Sequence, residues 1–151
     1  MSVDSPQPSF SIQFRVHYHE TDGQGRVHHG QYLNYFERGR VELLRSMGFS
    51  YREFEASGLF LVVSEMHLNY LGAAVFDDQL KLTTTVSEVR GVRIRHRYEI
   101  EKLPEPADSD TSNPKKQEMK SGRIVEGYST IACVDRTGKV RPLPDYLRKL
   151  K

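Results

Sequence analysis

GQYLNYFERGRVELLRSMGFS, residues 30–50, is the one long stretch of the chain in which apolar residues recur every three or four positions. Tyr32, Phe36, Gly39, Leu43 and Met47 mark the stripe, and Leu33, Val41 and Leu44 widen it. That is the period of a helix with one face turned to a core, here of four to five turns. Tyr35 carries apolar surface further round, so the helix is expected to be buried on more than one side. Gly39 would let another backbone come close, and Gly48 supplies a C-terminal stop. Just beyond, Ser50 and Glu53 form a Ser-x-x-Glu capping box that opens a short second helix, closed by Gly58.

On either side the period changes to two. Phe10, Ile12, Phe14, Val16 and Tyr18 alternate, which predicts a strand over 10–20 with His17 and His19 pointing away from its apolar face. Downstream, LFLVVSEMHLNYL (59–71), DQLKLTTTVSEV (78–89), RIRHRYEI (93–100) and RIVEGYSTIACVD (123–135) read as strands, and RTGKVRPLP (136–144) as the stretch that closes the sheet before a short C-terminal helix. Residues 1–9 read as a disordered tail, and 103–122, with three prolines and almost no apolar residues, as a mobile loop. Residues 10–151 are then one α+β domain whose antiparallel sheet has one apolar face. Only the long helix is large enough to cover it.

A chain of 151 residues can bury a core without a metal or disulfide to staple it. Charged residues make up 28% but nearly cancel to a net +2, which gives no case for a nucleic-acid partner. The single cysteine, Cys133, cannot form an internal disulfide. The first residues have neither the basic start nor the apolar run of a signal peptide, and no stretch is long and apolar enough for a membrane span. The expectation is a cytoplasmic protein.

HYHETDGQGRVHHG, residues 17–30, gathers four of the six histidines and two carboxylates. One reading is a metal site built from His17, His19 and Glu20 with His28 and His29 nearby. Its weakness is placement, because His17 and His19 sit on the polar strand face while His28 and His29 lie across a loop; no metal is expected. A second reading needs only local geometry. A glycine-bearing loop that runs into the start of a buried helix presents unpaired N–H groups and the positive end of the helix dipole, which stabilise an oxyanion. Asp22, just upstream, could act there as nucleophile or as general base for water. Alternatively it only caps its turn through an Asx bond.

The run Tyr18-His-Glu-Thr-Asp22-Gly-Gln-Gly25-Arg-Val27-His-His29-Gly-Gln-Tyr32, followed by Tyr35-Phe36-Glu37-Arg38 and Arg40, resembles the signature of the 4-hydroxybenzoyl-CoA thioesterase family, in the branch that includes the Tol-Pal-associated acyl-CoA thioesterases. The resemblance continues through Tyr70, Asp77-Asp78, the arginine-rich hairpin and the closing Arg-Pro-Leu-Pro. It implies a hotdog fold, a long central helix wrapped by a five-stranded antiparallel sheet, dimerised edge to edge with active sites at the interface. It also implies hydrolysis of an acyl-CoA without a cofactor. Asp22 would carry the catalysis, and the amide at His29 would hold the thioester oxygen. The His29 and Tyr18 side chains would orient the site, with Gly30 and Tyr32 lining it. Glu37 matches a helix glutamate that a salt bridge to Arg38 or Arg40 explains equally well. Arg26, His28 and the Gly23-Gln24 and Gly30-Gln31 pairs depart from the usual pattern, and they bear on the choice of acyl group.

Arg90, Arg93, Arg95 and Arg97 crowd one hairpin. They read either as a phosphate-binding group for CoA, with Arg90 and then Arg93 closest to the family's nucleotide contact, or as a solvated strand that discourages edge pairing. A single five-stranded sheet leaves an open edge, so a homodimer or a dimer of dimers is expected. The rival functions are a non-catalytic acyl-CoA-binding module and a hotdog dehydratase or acyl-carrier-protein thioesterase. A dehydratase usually takes its histidine and carboxylate from facing subunits, whereas Asp22 and His29 share one loop.

Overall fold

A computed structural model describes residues 7–105 and 122–150. Its elements are β1 (Ser9–Arg15), α1 (Gln31–Ser46), α2 (Tyr51–Ala56), β2 (Leu59–Tyr70), β3 (Gln79–Arg90), β4 (Arg93–Lys102), β5 (Gly122–Asp135) and α3 (Asp145–Arg148). The strands form one antiparallel sheet in the order β1-β3-β4-β5-β2. The strand that follows the helices therefore runs along the edge opposite β1. Residues 1–6 of the expected tail and 106–121 of the expected loop lie outside the described residues. Within them, Gln7 and Pro8 are already hydrogen-bonded to β3, and β1 begins at Ser9.

α1 buries Tyr32, Tyr35, Phe36, Gly39, Arg40, Leu43 and Leu44. Leu33 and Met47, which the spacing puts on the apolar stripe, stay exposed; Met47 is already the C-cap, where the helix ends. A Cβ on Gly39 would sit on the Thr84 hydroxyl and 2.8 Å from Leu82 Cδ2, so the close approach is to side chains of β3 rather than to backbone. Gly48 takes φ +85° just past the helix, the left-handed stop expected of it. Ser50 Oγ accepts the Glu53 N–H at 3.2 Å, capping α2.

The alternation is clean in β4 and holds in β3 from Leu80 to Thr84, before a register shift between Val86 and Glu88. Leu80, Leu82, Thr84 and Val86 face inward, as do Ile94, His96, Tyr98 and Ile100, and Arg93, Arg95 and Arg97 are exposed. One apolar cluster lies around Tyr35, Phe36, Leu82 and Ile100, another around Leu43, Phe54, Val86 and Ile94. Between them the same inward face carries a polar row. Arg40 Nη1 donates to the Tyr98 hydroxyl at 3.0 Å, and that hydroxyl is hydrogen-bonded to Ser129. His96 is fully buried, and burial followed by the Arg40 charge pushes its pKa down to about 3, so it is neutral at pH 7.

Two expectations need correction. The first strand stops at Arg15, paired to Gln79 at the start of β3; beyond that pair no partner strand remains, and residues 18–20 fold into a 3-10 turn. Tyr18 is accordingly 77% exposed instead of facing the core. The 136–144 stretch, read as closing the sheet, runs beside β5 without forming a strand. It meets β5 in one isolated bridge, Val134 to Val140, and its prolines at 142 and 144 have no N–H for a ladder.

Candidate active site

The chain between β1 and α1 is tied down on two sides. Val16 exchanges backbone hydrogen bonds with Asp77 and Asp78, Thr21 bridges Val27, Arg26 bridges Val75, and the Val27 N–H donates to Ala74 O at 2.9 Å. The glycine-bearing loop is therefore a narrow hairpin docked on the segment before β3.

Its organiser is Glu20, only 8% exposed. Oε1 accepts the His17 N–H at 2.7 Å and the Tyr35 hydroxyl at 3.0 Å, and Oε2 accepts Gln31 Nε2 at 2.9 Å. The Glu20 carbonyl also accepts the His28 N–H at 2.9 Å. One residue thus joins the 3-10 turn, the approach to α1 and the helix itself. Burial and the neighbouring Glu20 carboxylate push the Tyr35 hydroxyl far up, so it stays a donor. Sequence reasoning treated Glu20 only as a possible metal ligand. Its role rests on the Tyr35 and Gln31 donors, 15 and 11 residues further along the chain.

Asp22 is half-buried. Its Oδ1 accepts the Gln24 N–H at 2.8 Å, and its backbone closes the hairpin with Gly25 and Arg26. The Asx bond is thus present, and it occupies one carboxylate oxygen. At the helix start, the Gly30 N–H is taken by His28 Nδ1 at 2.9 Å, and the His29 carbonyl accepts the Tyr70 hydroxyl at 2.9 Å. Among the described residues the His29 N–H meets no acceptor. The first turn of α1 carries no acidic residue to offset the positive end of its dipole. Tyr32 is buried beneath, edge-on to Tyr35 and Tyr70, with its pKa pushed up to about 12 by burial.

The other expected site residues stand apart. Tyr18 packs edge-on against Phe76, with ring centroids 5.6 Å apart, on the exposed side of the turn. Glu37 is exposed and bridges neither arginine proposed for it, because Arg38 lies over the Phe14 ring and Arg40 is buried against Tyr98. Arg90, paired with Glu88, lines a surface groove together with Arg93 and Arg95, bordered by Ser64, Glu65 and Thr130. On β5, Arg93 pairs with Ala132 and Tyr70 with Val125. Seven residues at about 3.3 Å each put the groove roughly 23 Å along the sheet from Tyr70. As for metal ligands, His17, His19 and Glu20 are brought together, whereas His28 and His29 stack on each other outside that group.

The long helix on the apolar face of this five-stranded antiparallel sheet defines a hotdog protein. The family model of the thioesterase superfamily matches residues 24–106, and the chain belongs to that superfamily. It is 35% identical over 137 residues to the acyl-CoA thioesterase YbgC of Haemophilus influenzae, covering 89% of this chain and 86% of that one. It is also 34% identical to a putative esterase of Aquifex aeolicus, over 77% of this chain and 89% of the relative. Among solved structures, a probable thioesterase from Bartonella henselae superposes with TM-score 0.72 at 33% identity, over 90% of this chain and 99% of that one. A 4-hydroxybenzoyl CoA thioesterase variant bound to 4-hydroxybenzoyl CoA gives TM-score 0.77 at 13% identity, a likeness of fold alone, over 95% and 98% of the two chains. Among the described residues no helix is long and apolar enough to cross a membrane.

Proposed function

We propose that the protein hydrolyses an acyl-CoA thioester to the free acid and CoA, with Asp22 as the reacting carboxylate and the His29 N–H as oxyanion donor. The observation that carries this reading is the start of α1, where among the described residues that N–H meets no acceptor and the Asp22 hairpin is tethered to the helix through Glu20. The acyl-CoA thioesterase YbgC, alike over most of both chains, supports the substrate class. Two routes fit the same groups. Asp22 attacks the carbonyl carbon, the C–S bond breaks, the CoA thiolate leaves, and water hydrolyses the mixed anhydride. Or Asp22 takes a proton from water, the hydroxide adds, and the tetrahedral oxyanion collapses with loss of the thiolate, which is then protonated. In both, negative charge grows on the oxygen facing the helix start, where the dipole and the amide favour it.

The phosphates of CoA need cationic partners, and Arg90 and Arg93 are the proposed ones. The Arg90→Ala, Arg93→Ala double variant should raise KM for an acyl-CoA with kcat nearly unchanged, because phosphates far from the carbonyl bind alike in ground and transition states. An acyl-pantetheine should not feel the change. An equal effect on both substrates would place the phosphate contact elsewhere.

We further infer a dimer, closed through β2. Among the described residues that strand has β5 on one side only, and it leaves Val62 and Val63 exposed. Tyr70, which holds the His29 carbonyl, ends the same edge, so closing it would also wall the site. Sedimentation should give a particle of at least twice the 17.4 kDa chain mass. A fully active monomer would contradict this.

A further inference from the structure

We propose that His17, His19 and Glu20 form a binding site for a divalent cation of the zinc class, separate from the hydrolytic chemistry. Each offers one ligand atom, and these atoms all lie within 4.8 Å of one another. The grouping follows from the backbone. Three residues per turn in a 3-10 turn bring positions 17 and 20 to the same side, and the His17 N–H fixes Glu20 Oε1 at 2.7 Å. His17 and His19 flank the outward Tyr18, both exposed, with ring centroids 5.4 Å apart.

A second, independent observation points to a cation. Glu20 is a buried carboxylate whose three side-chain hydrogen bonds all come from neutral donors: a backbone amide, a phenol and a carboxamide. Among the described residues no lysine or arginine stands within ion-pair distance of it. A negative charge held in a poorly hydrated place by neutral groups alone favours a cation at its free lone pair. Oε1 accepts two bonds and Oε2 only one, so Oε2 keeps a lone pair for a ligand bond.

Two imidazole nitrogens and one carboxylate oxygen suit zinc and its neighbours, whereas magnesium and calcium want oxygen ligands. Tetrahedral bonds of about 2.0–2.1 Å set ligand atoms roughly 3.3 Å apart, so from separations of up to 4.8 Å the two exposed rings must close in by up to about 1.5 Å. Water completes the shell. The hydrolytic reading uses neither histidine, so the two proposals stand or fall separately.

The test is calorimetric titration of the full chain with zinc chloride at about pH 7.5. One ion per chain should bind saturably at micromolar concentrations. His17→Ala and His19→Ala should each weaken binding on the order of tenfold, and the pair together on the order of a hundredfold, if the ligand contributions add. His28→Ala with His29→Ala should leave zinc affinity unchanged. Absence of saturable binding, or affinity indifferent to loss of both His17 and His19, would overturn the proposal. So would affinity lost on changing His28 and His29 instead.

Discussion

Asp22→Asn is expected to lower kcat by roughly two decades or more while the protein stays folded and still binds acyl-CoA. The carboxamide is isosteric, and its oxygen can still accept the Gln24 N–H that shapes the hairpin. What it cannot do is attack a carbonyl or take a proton from water, so the loss falls on the chemical step. His29→Ala should cost much less, because the oxyanion donor is the backbone amide and survives the change. Near-normal turnover by a folded Asp22→Asn protein would reduce Asp22 to the turn cap that its Asx bond also makes it.

Glu20→Ala should be the most damaging change to stability within the site. It removes the acceptor of the His17 N–H, the Tyr35 hydroxyl and Gln31 Nε2 at once, and Tyr35 is completely buried. A buried donor left without an acceptor costs about 1–3 kcal/mol, and the partly buried pair adds to that, giving about 2–4 kcal/mol. For a chain of this size the melting temperature should drop by roughly 5–15 °C. Glu20→Gln, which keeps a carbonyl oxygen, should fall in between. Turnover should suffer too, since the hairpin that carries Asp22 reaches α1 through Glu20. A melting temperature unmoved by Glu20→Ala would mean that the hairpin is held elsewhere.

Periodicity made most of the fold legible. The 3.6-residue stripe of residues 30–50 and the two-residue alternation of β3 and β4 each report which face is buried, and a single apolar sheet face with one long helix leaves one way to pack them. Periodicity failed where a strand runs out of partners. The alternation continues through Tyr18, but β3 pairs no further than Arg15, and hydrogen bonding rather than hydrophobicity ends the strand. It is equally silent on strand order: β2 lies beside β5 because of long-range pairing that no local pattern encodes.

At the site, the loop and the helix start could be read from the glycines and the change of period. Their tether could not, because Glu20 is recognisable only once Tyr35 and Gln31, far along the chain, are seen to donate to it. The ion pair offered for Glu37 failed in the opposite way. Its spacing from Arg40 allowed a surface ion pair, but packing draws that guanidinium inward to Tyr98.

Thiol release from a panel of acyl-CoAs, from short aliphatic to aromatic, measured on the purified wild-type protein in excess EDTA, tests the central claim most directly. The expected result is steady turnover of at least one class, one CoA thiol per acyl-CoA consumed, with the chelator without effect. No release above the uncatalysed rate from any acyl-CoA, or release that EDTA abolishes, would contradict a hydrolase that works through Asp22 and the His29 amide.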